Sequence, residues 1–265
     1  MTGTPTLVAQ PSIRGIDIGS GPTVVLVHGF SLDHRMWHSQ IEALGSGFRV
    51  VAYDLRGFGQ SGPGDGYASH LDDLIALLDA LHIDKAHLVG LSLGANVVLA
   101  AAASRPDRVS SLALISPGLP GFTWTAPRPP DEAATHARQH GIASAKKFWI
   151  EHELFASLES HPAARRQVRT MIEEFEGAQW EGRSMAAPLP DVYGRLEFIT
   201  APTVVINGDR DVQGYREIGE LLARTLPNAR GVIIEGGHMV SMERSDDVNA
   251  ELETHFSSVD ALSEP

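Results

Sequence analysis

The sequence contains no cysteine in its 265 residues. This absence excludes a disulfide framework, a thiolate zinc site and an iron–sulfur cluster. It also excludes a cysteine nucleophile, so any covalent catalysis must come from another side chain. With 43% apolar and 20% charged residues, the composition is otherwise that of an ordinary globular protein.

Basic residues are scarce as well. The chain has 21 lysine and arginine residues against 33 aspartate and glutamate residues, which gives a formal net charge of −12 with neutral histidine. No basic cluster offsets this charge, so nucleic acid is not expected as a partner. Residues 1–11 have neither a basic region nor a long apolar region of the kind found in signal peptides, and we expect a cytoplasmic protein.

Long stretches without a charged residue are few. Residues 86–104 form one of them, with no Asp, Glu, Lys or Arg. A transmembrane helix has this hydropathy, but so does a buried strand that turns into a buried helix. We favour the second interpretation because the stretch includes Gly90, Ser92, Gly94 and Asn96. No membrane association is therefore expected.

Short apolar runs rich in β-formers alternate along the chain with segments that carry apolar residues at helical spacing. The runs are residues 23–27, 49–53, 86–89, 111–115, 203–206 and 231–234, and the helical segments are 36–44, 71–81, 95–104 and 214–225. This alternation predicts an α/β fold with a doubly wound, mostly parallel sheet of buried strands. Residues 7–9 and 13–17 predict an antiparallel hairpin at the sheet edge, which makes eight strands.

The alternation stops between Ser116 and Thr200, where a segment rich in proline and glycine leads into a helical stretch. This pattern predicts a helical cap, residues 117–199, inserted in a core domain of residues 1–116 and 200–265. We expect most cap aromatics to pack the cap onto the sheet and the others to line a site beneath it. The candidate substrate-binding residues are Trp124, Phe148, Trp149 and Met239.

The segment Gly90-Leu91-Ser92-Leu93-Gly94 lies between a predicted buried strand and a predicted helix. In that context a G-x-S-x-G segment is typical of a nucleophile elbow, a sharp turn that holds the serine in a strained conformation. Glycines flank the serine because a β-carbon there would collide with the neighbouring strand and helix. Ser92 is therefore the candidate nucleophile.

A serine needs a base to take its proton, and the base needs an acid to orient it. His238 follows the last predicted strand, at the carboxyl edge of the sheet where ligands bind in such folds. Asp209 and Asp211 both follow the strand at 203–206. We favour Asp211 as the acid because its spacing from Gly208 directs it toward the His238 loop, whereas Asp209 is better placed to cap the turn.

An acyl-transfer intermediate carries an oxyanion that needs two N–H donors. The backbone N–H of Leu93, directly after the candidate nucleophile, and that of Phe30, in the loop after the strand at 23–27, are the expected donors. His28 precedes this loop and is interpreted as a structural residue. His34 and His38 have no third ligand nearby in the sequence, so no metal site is expected.

Taken together, these motifs resemble the α/β-hydrolase superfamily, in its group of small cofactor-independent serine esterases, lactonases, carbon–carbon hydrolases and perhydrolases. The resemblance rests on the turn at residues 28–30, the segment 54–61, the elbow, residues 208–211 and Gly237-His238. It implies the chain order nucleophile, acid, base, a structural role for the segment 54–61, and the identity of residues 117–199 as the cap. The serine at the nucleophile position excludes the dehalogenases and epoxide hydrolases of this fold, which need an aspartate there.

The expected function is a serine hydrolase that cleaves a small-molecule carboxylic ester or lactone through an acyl-enzyme, without a cofactor. Two other activities use the same residues, namely carbon–carbon bond hydrolysis of diketone ring-fission products and cofactor-independent perhydrolysis with haloperoxidase activity. A non-enzymatic ligand receptor on the same fold is the remaining alternative. An intact set of Ser92, Asp211 and His238 argues against a receptor.

Overall fold

The structure, a computed structural model, describes residues 13–262. In this range the chain forms a seven-stranded sheet with the order β1-β3-β2-β4-β5-β6-β7. Strand β1 pairs antiparallel with β3, and the other pairs are parallel. The strands are β1 (Gly15–Ile18), β2 (Thr23–Val27), β3 (Arg49–Tyr53), β4 (Ala86–Leu91), β5 (Val109–Ile115), β6 (Thr203–Gly208) and β7 (Ala229–Ile234).

The predicted mostly parallel sheet with an antiparallel edge strand is confirmed. The further strand predicted at residues 7–9 lies outside the described residues. The prediction of a buried strand at residues 231–234 is wrong in one respect, because the Ile233 side chain is 64% exposed. Strand β7 is the last strand of the described sheet, so its outer edge and part of its surface are not covered.

The helices are α1 (His38–Leu44), α2 (His70–Ala80), α3 (Leu93–Ser104), α4 (Pro129–His140), α5 (Ile142–Ile150), α6 (Pro162–Glu174), α7 (Gln213–Thr225), α8 (Val240–Glu243) and α9 (Ser245–Ala261). Helix α3 packs on β2, β4 and β5, and α2 packs on α3. Helix α2 begins where it does because the Ser69 side chain accepts the Asp72 N–H and the Asp72 carboxylate accepts the Ser69 N–H.

Helices α4, α5 and α6 lie between β5 and β6, together with short 3-10 turns at Glu153–Ser160, Ala178–Glu181 and Tyr193–Phe198. We refer to residues 117–199 as the cap segment. Aromatic rings join this segment to the core: Phe175 stacks on Phe58 with 5.5 Å between ring centroids and meets Phe30 edge-on, also at 5.5 Å. Burial of such large apolar rings is what holds the cap segment over the carboxyl edge of the sheet.

The uncharged stretch at residues 86–104 divides into β4 and α3, as the sequence predicts. Among the described residues, no helix has both the length and the apolar character needed to cross a membrane.

Helix α3 starts unusually close to β2. A β-carbon on Gly94 would lie 2.0 Å from the Val27 carbonyl oxygen, and one on Gly90 would lie 2.4 Å from the Gly94 carbonyl carbon. Both neighbours are backbone atoms, which cannot rotate away as a flexible side chain can. The two glycines therefore allow the close approach that the turn between β4 and α3 requires.

We predict that Gly94→Ala lowers the free energy of unfolding by about 1–3 kcal/mol, because the added methyl group must displace the β2 backbone. Gly47→Ala is the matched control, since a β-carbon on Gly47 meets no atom of residues 13–262 within 4 Å. Its free energy of unfolding should stay within about 0.5 kcal/mol of wild type. Urea unfolding of both variants tests this, and equal midpoints would contradict the steric explanation.

Candidate active site

Ser92 lies at the turn between β4 and α3 with a φ of 54° and a ψ of −106°. A non-glycine residue with positive φ is strained, and such strain persists only where the surroundings impose it. Here the close contact of β4, α3 and β2 imposes it. The elbow predicted from the sequence is present, and it places the Ser92 hydroxyl at the carboxyl edge of the sheet.

His238 and Asp211 meet in the loops that follow β7 and β6. His238 Nδ1 lies 3.0 Å and 3.1 Å from the two carboxylate oxygens of Asp211. Both residues are buried. The other acid of this loop, Asp209, accepts the Gly236 N–H at 2.9 Å through Oδ1. The structure thus brings Asp211 to the imidazole and uses Asp209 to tie the two loops together.

The Ser92 hydroxyl and His238 line the same small cavity, together with Tyr215 of α7. Within residues 13–262, the hydroxyl of Ser92 is hydrogen-bonded to Tyr215 Oη, at 3.5 Å, rather than to His238. The Tyr215 ring packs on the imidazole with 4.2 Å between ring centroids. Hydrogen bonds between a nucleophile and its base are often long before substrate binds, so this geometry is compatible with proton transfer from Ser92 to His238.

Leu93 and Phe30, the two expected oxyanion donors, occupy the first position of α3 and the loop after β2. The Leu93 N–H is one of the first-turn N–H groups that have no acceptor inside their own helix. Such a helix start also favours negative charge. The peptide bond that follows Phe30 is held by Ser31, whose hydroxyl donates to the Phe30 carbonyl at 2.6 Å and accepts the Trp149 indole N–H at 2.7 Å.

His28 is engaged with backbone groups through both ring nitrogens. Nδ1 lies 2.7 Å from the Gly29 carbonyl, and Nε2 accepts the Leu55 N–H at 2.9 Å. Burial lowers the pKa of His28, so the ring is neutral with its proton on Nδ1. These contacts match the structural role expected from the sequence.

One group of side chains in the described part of the chain has metal-ligand geometry: single ligand atoms of Asp33, His34 and Asp54 lie within 4.8 Å of one another. Asp54 accepts the His34 N–H at 2.8 Å and the Gln60 N–H at 2.8 Å, while Asp33 binds the Arg35 guanidinium. These oxygens already serve hydrogen bonds that shape the segment 54–61. The group therefore has a structural explanation without an ion.

A cleft of about 620 Å³ opens beside Ser92 between the core and the cap segment. Its lining is mixed, with apolar side chains such as Leu119 and Met185 and polar ones such as Asn96 and Gln179. A cavity of this size fits a small organic molecule.

The four candidate substrate-binding residues lie in different places. Trp124 lines the large cleft. Trp149 and Met239 line the small cavity that also contains Ser92 and His238. Phe148 does not line either cavity, because its ring stacks on His136 with 4.6 Å between centroids.

Two residues of the site have no local motif. Tyr215 lies in the first turn of α7, where the sequence shows an ordinary amphipathic helix. Glu243, in the four-residue helix α8, accepts the Gly237 N–H at 2.7 Å and the hydroxyl of Ser157 in the cap segment at 2.6 Å. Glu243 thus holds the residue next to His238 and links the His238 loop to the cap segment. Only the folded chain brings these groups together.

Comparison with known proteins agrees with this architecture. The family model for the alpha/beta hydrolase fold matches residues 22–245. The chain therefore belongs to the alpha/beta hydrolase family, and the resemblance found in the sequence is confirmed. Its relatives include a lactonase and an esterase, which supports a hydrolase as the class of enzyme.

A protein of Caulobacter sp. (strain K31) named "Putative carbamate hydrolase RutD" is 38% identical over 90% of this chain and 91% of its own. The 3-oxoadipate enol-lactonase 1 of Acinetobacter baylyi is 26% identical over 86% of this chain and 85% of its own. Among solved structures, a thermophilic esterase from Thermogutta terrifontis superposes with a TM-score of 0.80 at 30% identity, covering 98% of this chain and 99% of its own.

We predict that Glu243→Ala lowers the free energy of unfolding by about 1–3 kcal/mol, because it leaves the buried Gly237 N–H without an acceptor. Glu243→Gln should lower the free energy of unfolding less, since the amide can accept the Gly237 N–H and donate to the Ser157 hydroxyl. Urea unfolding and hydrogen exchange of the Gly237 amide measure the two effects. Faster exchange in the alanine variant alone is expected, and unchanged exchange there would contradict the role given to Glu243.

Proposed function

We propose that the protein is a serine hydrolase that cleaves a carboxylic ester or lactone through an acyl-enzyme. The observation that carries the proposal is the convergence of a strained Ser92 and a hydrogen-bonded Asp211–His238 pair on one cavity. The spacing of these residues along the chain is large, so their meeting depends on the fold and not on a local motif.

In the first half of the proposed reaction, Ser92 Oγ attacks the substrate carbonyl carbon and His238 Nε2 takes the serine proton. Asp211, bound to Nδ1, fixes the tautomer and stabilises the imidazolium. The carbonyl oxygen becomes an oxyanion between the N–H groups of Phe30 and Leu93. The carbon–oxygen bond to the alkoxy group then breaks, and the imidazolium returns its proton to the leaving oxygen.

In the second half, water occupies the position that the alcohol has left. His238 takes a proton from the water, the hydroxide attacks the acyl carbon, and the bond to Ser92 Oγ breaks with return of the proton to the serine. For a lactone the alcohol stays attached to the acyl group, so acylation opens the ring and hydrolysis releases a hydroxy acid.

The size and lining of the cleft beside Ser92 support a substrate with a small, partly apolar acyl group. Its volume of about 620 Å³ and its mixed lining suit a molecule of moderate size with one or two polar substituents. Two of the three relatives named above, the esterase and the enol-lactonase, support an oxygen ester as the bond that is cleaved.

We predict that Ser92→Ala reduces kcat/KM for a p-nitrophenyl alkanoate by on the order of 10⁴-fold or more, with an unchanged thermal midpoint, because it removes the nucleophile. Ser46→Ala, at an exposed serine outside the site, is the control and should have wild-type activity. A fluorophosphonate probe should label the wild-type and control proteins but not the Ser92 variant. Near-wild-type activity in Ser92→Ala would refute the proposal.

The two aspartates of one loop provide a second test. Asp211→Asn should reduce kcat by on the order of 10³ to 10⁴, because the amide stabilises the wrong imidazole tautomer. Asp209→Asn should keep most of the wild-type rate, since its amide oxygen can still accept the Gly236 N–H. Steady-state rates of the two variants measure the difference, and the reverse ranking would show that the acid is misassigned.

A further inference from the structure

The Tyr215 side chain contacts both the candidate nucleophile and the candidate base. Its hydroxyl oxygen lies 3.5 Å from Ser92 Oγ, and its ring lies on the His238 imidazole with 4.2 Å between centroids. The residue is buried, and it lines both the large cleft and the small cavity. The hydroxyl therefore borders the serine oxygen that forms and breaks the bond to the substrate in the proposed reaction.

The tyrosine is held in place on several sides. The Asn207 amide donates to the Tyr215 carbonyl at 3.3 Å, and the Tyr215 N–H donates to the Val212 carbonyl at 3.0 Å. Trp124 of the cap segment meets the phenol ring edge-on with 5.0 Å between centroids. Trp124 can come this close because Gly214 has no side chain: a β-carbon there would lie 2.3 Å from the indole. The hydroxyl is therefore preorganised before substrate binds.

In the proposed reaction, one of the two ester oxygens of the substrate is available to accept a hydrogen bond from Tyr215. The carbonyl oxygen is directed to the N–H groups of Phe30 and Leu93. The alkoxy oxygen must face His238 Nε2, because the imidazolium protonates it. Tyr215 packs on that imidazole and its hydroxyl oxygen lies 3.5 Å from Ser92 Oγ, so an alkoxy oxygen held between Ser92 and His238 comes within reach of the phenol. The hydrolytic water later takes the same position.

We propose that the Tyr215 hydroxyl is a further catalytic group, which donates a hydrogen bond to the alkoxy oxygen during acylation and contacts the attacking water during deacylation. The inference rests on the proposed ester or lactone hydrolysis. The tyrosine forms and breaks no covalent bond: the proton that reaches the alkoxy oxygen comes from His238, and the phenol keeps its own.

The electrostatics of the site are consistent with a donor that stays protonated. Burial raises the pKa of Tyr215 to about 12, although the hydrogen bond with Ser92 opposes the shift. The phenol therefore remains neutral throughout the pH range in which a histidine base works. Its contribution to the rate should not change between pH 7 and about pH 10.

A hydrogen bond from Tyr215 should speed the departure of poor leaving groups more than that of good ones. An alkoxide is a poor leaving group and gains from a hydrogen bond, whereas p-nitrophenolate is stable without one. Acylation by alkyl esters and lactones of an acid, measured as kcat/KM, should therefore depend on Tyr215, and acylation by the activated ester of the same acid should not. This difference separates stabilisation of the leaving oxygen from mere support of Ser92 or His238.

The test compares Tyr215→Phe with wild type on the ethyl ester and the p-nitrophenyl ester of the same acid. We expect kcat/KM for the ethyl ester to fall at least about tenfold. This is less than the roughly 10²- to 10³-fold that loss of one oxyanion donor costs, because His238 still protonates the alkoxy oxygen in the variant. For the p-nitrophenyl ester kcat/KM should change less than about threefold, because departure of that group needs no donor. Where deacylation limits kcat, kcat should fall by the same factor for both esters, since they share one acyl-enzyme.

Tyr193→Phe is the matched control, because this tyrosine is partly exposed and does not line the cleft. Its kcat/KM for both esters should equal that of wild type. Fluorophosphonate labelling of Tyr215→Phe at the wild-type rate, with an unchanged melting temperature, would show that Ser92 and His238 remain assembled.

Three outcomes would overturn the proposal. An equal fall in kcat/KM for both esters would assign Tyr215 a positioning role only, and no fall for either would assign it none. A loss of the selective effect between pH 7 and pH 10 would also contradict a neutral donor. Failure of the underlying function is distinguishable, because it would appear as ester hydrolysis that survives Ser92→Ala.

Discussion

The strained turn at Ser92 is the constraint on which the rest of the site depends. A φ of 54° at a serine is imposed because Gly94 lets α3 start against β2 and Gly90 lets the end of β4 close on the start of α3. The turn raises the hydroxyl above the carboxyl edge of the sheet. Because β6 and β7 run parallel to β4, their following loops end at the same edge, and these loops carry Asp211 and His238. The parallel sheet therefore assembles three residues that are far apart in the chain.

The cap segment also has a part in arranging the core. Trp149 donates to Ser31, and Ser31 in turn holds the peptide bond that follows Phe30. On the other side of the site, Ser157 donates to Glu243, which accepts the N–H next to His238. Both loops that carry the proposed chemistry are thus bonded to the cap segment by buried or half-buried hydrogen bonds. A displacement of the cap segment would therefore shift both the loop that carries Phe30 and the loop that carries His238.

Carboxylates in and near the site are stabilised by their own hydrogen-bond partners, independently of the net charge of the protein. Of the two aspartates after β6, Asp211 faces the imidazole and Asp209 binds the backbone of the loop after β7. Asp54 is likewise occupied by His34 and by a backbone N–H. The two buried carboxylates, Asp211 and Asp54, have hydrogen-bond partners, which is the condition under which buried charge is tolerated. The excess of acidic residues is therefore no guide to the charge of the substrate.

The sequence by itself determined the strand and helix alternation, the elbow and the preference for Asp211, because hydrophobic period, glycine spacing and loop position are local properties of the chain. Strands β2 and β3 begin and end where the pattern predicts. Only the tertiary structure decided that Ile233 is exposed, that Phe148 stacks on His136, and that Tyr215 and Glu243 reach the site. These facts depend on which strand is last in the sheet, on how α4 and α5 pack against each other, and on how α7, α8 and the cap segment meet at the carboxyl edge. Packing between separate elements decides all three, and the periodicity of one segment does not show it.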